Sequence, residues 1–361
     1  MRTVIFRPTN KCNLRCTYCY DKNNHELESK VINCASKKFE KEFDNILESL
    51  DKIFRNEKRK QLIFHGGEPL LIKPDLLDRF CNELQKRNIR IGIQTNGTLI
   101  TDDIIEIFKK YKFSVGISLD GCNEKQNSKR IYSNGKNSFE TVIKNIKKLQ
   151  DNKVKFGLIM SIGKQHSGCE KEIYDFIGNN NYSCNIRPVF ATDESMIKDV
   201  MTEEEYIKFF NNLFDIWFND KEKKVRTHQV NELYTSLKKE INSDYIDKLC
   251  SNSNNCFKNF ICLDINSNLY SCNRLYGIDE FYYGNLKEIS MDEVEAKIKK
   301  IQNKRNRYIK KECGDCKEYK KCYGGCPAEA YDLYKNIKHK APICNIKKEI
   351  SKHIKEEIEK C

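Results

Sequence analysis

Short β-rich apolar runs alternate with helix-period segments through the first 190 or so residues, and this pattern restricts that part to a parallel sheet or barrel with helices between its strands. The runs Arg2–Thr9, Gln61–His65, Ile89–Thr95, Phe113–Leu119, Val154–Ile162 and Tyr182–Phe190 are the candidate strands. Between them Phe139, Val142, Ile143, Ile146 and Leu149 keep the spacing of an amphipathic helix, and Thr101 ahead of Asp102 and Asp103 marks a capped helix start. The expected fold is α/β, a partial (β/α)6, TIM-like barrel. A helical stretch follows, opened by the capping box Thr202-x-x-Glu205. Its stripe of Tyr206, Phe209, Phe210, Leu213, Phe214 and Trp217 reads as core packing rather than as the lining of a substrate channel. From about Cys250 cysteines become dense, and Ile261–Asp264 and Leu269–Ser271 flank a hairpin turn. A boundary near residues 235–250 is expected, dividing a core of 1–235 from a small cysteine-rich module of 236–361 with a β-hairpin and short helices.

The 361 residues, 39% hydrophobic and 32% charged, suit a soluble globular chain, and no apolar run approaches the ~18 residues of a membrane span. Met1-Arg2-Thr3-Val4 lacks the apolar core of a signal peptide, so a cytoplasmic location is expected. In that compartment 18 clustered cysteines point to metal ligation rather than disulfides. The net charge of +13 is spread among acids, as in Lys238-Lys239-Glu240 and Lys347-Lys348-Glu349. It reads as solvated helix faces more than as a nucleic-acid surface, with an acidic peptide or RNA as the other reading.

Cys12, Cys16 and Cys19 stand in Cys-x3-Cys-x2-Cys spacing directly after the first strand. Structural zinc sites and ordinary cubane clusters use four protein ligands, so a tight trio implies an iron–sulfur cluster with one iron open to another molecule. After the second strand comes His65-Gly66-Gly67-Glu68-Pro69, either a plain turn or a place where backbone and a carboxylate meet a ligand. Polar groups also follow the third strand, Gln94-Thr95-Asn96-Gly97-Thr98, and the fourth, Ser118-Leu119-Asp120-Gly121.

Together these motifs resemble the radical S-adenosylmethionine (radical SAM) enzymes. The resemblance implies that Cys12, Cys16 and Cys19 hold a [4Fe–4S] cluster whose open iron chelates SAM. It also implies that Gly66, Gly67 and Glu68 bind the methionyl amino group, and that Thr95, Ser118 and Arg130 contact the ribose or carboxylate of SAM. Reductive cleavage would then give a 5′-deoxyadenosyl radical that abstracts hydrogen from the substrate. The later pattern, Cys256-x5-Cys262-x9-Cys272, Cys313-x2-Cys316-x5-Cys322-x3-Cys326 and Cys344, closely resembles the SPASM domain, with zinc ribbons as the alternative. That domain implies two auxiliary [4Fe–4S] clusters, one on Cys256, Cys262, Cys272 and Cys326, the other on Cys313, Cys316, Cys322 and Cys344, making three clusters in all. Cys34, Cys81, Cys122, Cys169, Cys184, Cys250 and Cys361 remain, most of them expected as spectators, with Cys250 a conceivable alternative ligand.

Among SPASM enzymes the chain resembles the anaerobic sulfatase-maturating enzymes, which oxidise Cys or Ser of a client protein to formylglycine, but it departs from them at two places. Asn273 stands where that family has the acidic base, and a neutral amide cannot remove a proton; Lys125-Gln126 stands where the family commonly has His-Asp. The general base is therefore left unassigned. The favoured expectation is a maturase of a ribosomally made precursor peptide, forming a thioether, a carbon–carbon crosslink or another oxidised product, with formylglycine formation as the alternative. Four cysteines for each auxiliary cluster favour electron relay over binding of a substrate thiolate. Expected partners are a precursor peptide or client protein, a reductant such as flavodoxin or ferredoxin, and no membrane. Because the first strand begins near residue 1, no amino-terminal leader-binding domain is expected, so the peptide meets either a separate leader-binding protein or an exposed strand edge. A non-catalytic iron–sulfur electron carrier and a zinc nucleic-acid module are the readings from other classes.

Overall fold

The computed structural model describes residues 2–21, 31–191, 194–222, 224–226, 238 and 253–360. The boundary expected near 235–250 falls, Lys238 aside, outside the described residues, as do Cys250 and Cys361. The strands are β1 (Arg2–Arg7), β2 (Lys60–Phe64), β3 (Ile89–Thr95), β4 (Ser114–Ser118), β5 (Phe156–Ile162), β6 (Cys184–Pro188), β7 (Phe260–Asp264), β8 (Asn268–Tyr270) and β9 (Tyr282–Asn285). The helices between and beyond them include α1 (Val31–Phe54), α2 (Pro74–Lys86), α3 (Asp102–Lys110), α4 (Phe139–Asp151), α5 (Glu170–Asn179) and α6 (Glu203–Asn219). The six parallel strands expected from the sequence are present, and the core is a mixed α/β fold built on a parallel sheet. The chain forms two compact units whose segments interleave: Met1–Ile117, Ile131–Phe156 and Asn255–Lys304 make one, and Ser118–Arg130, Gly157–Asn254 and Arg305–Cys361 the other.

In the first unit the strand order is β4-β3-β2-β1-β7-β8-β9. The strands from β4 to β1 are parallel, with Val4 opposite Leu62 and Leu62 opposite Ile91, all three buried. Along β3 the buried Ile89, Ile91 and Ile93 alternate with exposed Arg90, buried Gly92 and partly buried Gln94, and β4 likewise buries Val115 and Ile117 between less buried residues. Phe6, Phe39, Phe64 and Phe80 fill the space beneath α1 and α2, Phe39 and Phe80 meeting edge to face at 5.0 Å. The expected hairpin forms from β7 and β8, and its first strand lies parallel to β1, Ile5 facing Cys262. The hairpin thus extends the sheet that the amino-terminal strand opens. Thr101 caps α3, its hydroxyl accepting from the Ile104 N–H.

In the second unit β5 and β6 pair in parallel, and the Leu119 N–H donates to the Ile159 carbonyl at 3.1 Å. The capping box of α6 closes as expected: the Glu205 N–H donates to the Thr202 hydroxyl at 3.2 Å and the Thr202 N–H to the Glu205 carboxylate at 2.7 Å. All six apolar residues of its stripe are buried, so the stripe is core. At ~1.5–3 kcal/mol for each large side chain buried, it is a main source of cohesion in this unit.

Candidate functional site

The cysteine loop leaves the end of β1 and is held by backbone contacts from the strand ends beside it. The Gly67 N–H donates to the Thr9 carbonyl at 3.1 Å and the Glu68 N–H to the Lys11 carbonyl at 2.8 Å. A Cβ at Gly67 would sit 2.0 Å from the Lys11 oxygen, and Gly66 has φ +103°, where a side chain is strained. The two glycines therefore let the turn after β2 lie directly on the segment that leads into Cys12. Asn96, after β3, donates through Nδ2 to the Cys12 sulfur at 3.7 Å and to Asn13 at 2.8 Å, and the Leu14 N–H points at the same sulfur at 3.4 Å.

Glu68 is wholly buried. Its Oε1 accepts from the Leu70 N–H at 2.9 Å and the Thr95 hydroxyl at 2.7 Å, and its Oε2 accepts from the Asn96 N–H at 2.7 Å. The carboxylate thus ties the turn after β2 to the end of β3 and, through Asn96, to the cysteine loop. Burial above all, then the Glu68 charge and more weakly Cys16 and Cys19, push the Cys12 thiol up to about 12. A sulfur so placed ionises only if metal takes up the charge, while the two N–H groups aimed at it suit a thiolate. The trio fits an iron cluster in this respect.

Beside the loop lies a second buried network centred on Arg7, fully enclosed at the end of β1. Its guanidinium pairs with Asp21 at 2.5 Å, donates to Asn10 at 3.0 and 3.1 Å, stacks over the Tyr276 ring at 4.1 Å and donates to Asn273 Oδ1 at 2.7 Å. Asn273 Nδ2 in turn donates to the Tyr20 hydroxyl and, at 3.2 Å, to His65 Nδ1, which also accepts from the Gly66 N–H at 2.8 Å. Burial first, and then the Arg7 charge, hold the His65 imidazole down to about 4, so it is neutral and Nδ1 is an acceptor. The Tyr20 ring is 39% exposed, which brings the network to the surface.

Of the other SAM-contact candidates, Thr95 lies in the first unit on Glu68, whereas Ser118 and Arg130 belong to the second. Ser118 is partly buried at the end of β4. Arg130 is buried, with Nη1 4.0 Å from Asp120, whose carboxylate accepts from the Ser161 N–H at 2.8 Å. Gln126 is buried too, accepting from the Cys122 N–H at 2.9 Å and donating to Glu172 at 2.7 Å.

Cys256, Cys262 and Cys272 lie in the first unit, and the phenol of Tyr283 is pushed up by burial and then by Cys272 and Cys256. Cys262, on β7, is raised by burial, with Cys272 among the charges that add to it. Cys326, the fourth residue of that expected set, lies in the second unit. Cys313, Cys316, Cys322 and Cys344 share the second unit. Burial raises Cys313, to which Cys322 and Cys344 add, and burial raises Cys344, to which Cys322 and Cys316 add. The four thiols therefore lie within electrostatic reach of one another. Among the described residues no three His, Cys, Asp or Glu side chains converge tightly enough to hold a single ion. The ligands of a cubane each bind a different iron and stand apart around it. Of the remaining cysteines, Cys81 and Cys184 are buried, Cys122 and Cys169 partly buried and Cys34 exposed.

Sequence reasoning missed Arg305. It is buried in the helix Met291–Cys313 and donates to the carbonyls of Ile337 at 2.6 Å, Gly324 at 3.0 Å, Gly325 at 3.3 Å and His339. Gly324 and Gly325 stand between Cys322 and Cys326, so this one cation fixes the loop carrying both. An arginine amid the lysines of a helix gives no sequence signal of such a role.

The profile of the radical SAM superfamily matches residues 6–177. The cysteine-type anaerobic sulfatase-maturating enzyme of Clostridium novyi (strain NT) is 31% identical over 354 residues, covering 90% of this chain and 87% of that enzyme. The chain belongs to the radical SAM superfamily and is an enzyme of the kind that uses SAM and a [4Fe–4S] cluster. Within the superfamily its relatives include anaerobic sulfatase-maturating enzymes of the cysteine and serine types. Native anSMEcpe with bound AdoMet shares the fold at a TM-score of 0.81 and 22% identity over 100% of this chain and 99% of that one. Streptococcus suis SuiB bound to precursor peptide SuiA does so at 0.65 and 18% identity, over 95% of this chain and 75% of that one. No helix among the described residues is long and apolar enough to cross a membrane.

Proposed function

We propose that this enzyme oxidises a residue of a ribosomally made peptide, leaving a crosslink such as a thioether. In this proposal Cys12, Cys16 and Cys19 hold the SAM-binding cluster. Gly66, Gly67, Glu68, Thr95, Ser118 and Arg130 form the SAM site, and the eight later cysteines hold two auxiliary clusters, set by set as the sequence suggests. When bound, the first cluster and SAM supply a 5′-deoxyadenosyl radical able to take hydrogen from an unactivated C–H group. The chain's own work is to hold the loop through Glu68 and Asn96 and to exclude water from it. That a relative acts in sulfatase maturation and a structural neighbour holds a precursor peptide supports a peptide or protein substrate. The auxiliary clusters would relay the second electron of the oxidation to an external carrier of the flavodoxin or ferredoxin type, and the reaction would take place in the cytoplasm.

The observation that carries the choice of product is Asn273. Its oxygen is committed to Arg7 and its amide hydrogens to Tyr20 and His65, so this position holds no base. Formylglycine formation is the second reading, favoured by the 31% identity to a cysteine-type sulfatase-maturating enzyme. Anaerobic turnover with SAM and dithionite, followed by mass spectrometry, separates the two. Loss of two hydrogens with sulfur retained, on a precursor peptide encoded beside the enzyme, supports the proposal. Replacement of sulfur by oxygen in a Cys-type sulfatase peptide sinks it.

A further inference from the structure

Two buried hydroxyls in the first unit have no hydrogen-bond partner among the described residues: Tyr283 Oη and Ser271 Oγ. Neither residue exposes any surface. Buried polar groups are almost always paired, and a pair of orphans in one place calls for an acceptor that both can reach.

The local fold places both residues near Cys272. Ser271 directly precedes Cys272, and its own N–H is bonded to the Phe281 carbonyl at 3.0 Å, which pins the end of β8 against the start of β9. Tyr270 and Tyr282 pair across β8 and β9, their rings 5.1 Å apart, and Tyr282 is 37% exposed. The pairing then jumps to Leu269 opposite Gly284, so the next residue, Tyr283, is the extra residue of a bulge and is wholly buried. Tyr270 also sits opposite Cys262 on β7, so Ser271 and Cys272 continue from the point where the hairpin holds that cysteine. Cys256 and Cys272 both lie within electrostatic reach of the Tyr283 phenol.

We propose that the Tyr283 and Ser271 hydroxyls donate hydrogen bonds to sulfurs of the auxiliary cluster at Cys256, Cys262 and Cys272, and so hold its reduction potential up. The inference rests on the assignment of that cluster under Proposed function. Donors to sulfur stabilise the reduced, more negative form more than the oxidised one, so removing a donor disfavours reduction. In this proposal both are positioning residues that act through the cluster.

The test uses the iron-loaded full chain carrying Cys12→Ala, Cys16→Ala and Cys19→Ala, so that auxiliary clusters alone are titrated. Adding Cys262→Ala identifies the signal of the cluster in question; if that change leaves iron content and spectrum untouched, the cluster assignment itself is wrong. With the signal assigned, Tyr283→Phe and Ser271→Ala are each expected to keep the iron and to shift the reduction equilibrium about tenfold toward the oxidised form, which is 59 mV for one electron. Magnetic resonance of the reduced wild-type cluster should show proton couplings that vanish in deuterated water and weaken in each variant. A merely structural hydroxyl would lower iron loading and leave the midpoint alone. An unmoved midpoint in iron-replete variants, or a wild-type spectrum without exchangeable couplings, overturns the proposal, and the spectrum decides even if a variant fails to fold.

Discussion

Replacing Glu68 by Gln changes one atom in a fully buried carboxylate, and three donors that bind it among the described residues set the scale of what that change costs. Two are backbone N–H groups, from Leu70 at 2.9 Å on Oε1 and Asn96 at 2.7 Å on Oε2; the third is the Thr95 hydroxyl, which can rotate. An amide has one oxygen. Turned toward Asn96, it places its NH2 against the Leu70 N–H; turned the other way, it places the NH2 against Asn96. In either pose one buried N–H loses its acceptor and the remaining bonds lose the help of the negative charge. A charge-assisted bond is worth about 1.5–3 kcal/mol and a stranded buried N–H costs about 1–3 kcal/mol, so with partial relaxation the loss is about 2–4 kcal/mol. Urea unfolding of the iron-loaded, SAM-free protein should show a lower midpoint at unchanged slope. Should Glu68→Gln instead leave SAM-free stability within ~0.5 kcal/mol and weaken only SAM binding, the carboxylate serves the ligand and not the loop, and this account of Glu68 is refuted.

The His65 imidazole, held down to about 4 from an ordinary 6.5, stays neutral in the folded chain while the unfolded chain takes up a proton first as pH falls. Stability is therefore lost as pH drops from 6.5 toward 4, on the order of 2 kcal/mol after allowance for partial exposure, and pH-dependent unfolding of His65→Gln should show a flatter profile. Asn273→Asp removes the two N–H donors that face Tyr20 and His65 Nδ1 and leaves a carboxylate against a nitrogen lone pair. It should destabilise the enzyme at neutral pH by about 1–3 kcal/mol, and an equally stable or more stable variant would count against the hydrogen-bond pattern assigned here.

The strands were legible because β-branched and other apolar residues recur at strand spacing, so Ile89–Thr95, with isoleucine at every second position from 89 to 93, announces itself without its neighbours. The stripe on α6 was legible for a similar reason: six large apolar residues at helical spacing have one use in water. What could not be read are pairings across great sequence distance. Arg7 and Asn273 meet over 266 positions, and nothing near either residue encodes the other. The same holds for β7 joining the edge of β1, since a hairpin pattern specifies its own two strands and not the sheet it extends. Gly66 and Gly67 were readable as a close backbone approach, but what is approached is the chain's own cysteine loop, which only the fold shows. Tyr283 and Ser271 carried no signal at all, because a hydroxyl without a partner can be recognised only once its surroundings are known.

An asparagine at position 273 makes physical sense when its neighbours are taken together. Arg7 is a buried cation and needs a counter-charge, which Asp21 supplies at 2.5 Å. With that charge in place, a second carboxylate at 273 would leave the cluster of groups net negative within a low-dielectric interior. His65 adds a geometric requirement, because its Nδ1 already accepts from Gly66 and can tolerate only another donor. Asn is the side chain of that length that offers oxygen to Arg7 and N–H groups to Tyr20 and His65 at once. Asn273 is therefore one part of a set with Asp21 and neutral His65, and the set must be altered together for this position to carry an acidic base. Asn273→Asp alone should recover no base-dependent chemistry, whereas pairing it with Asp21→Asn would return the count around Arg7 to a single carboxylate and place that carboxylate where Asn273 now stands.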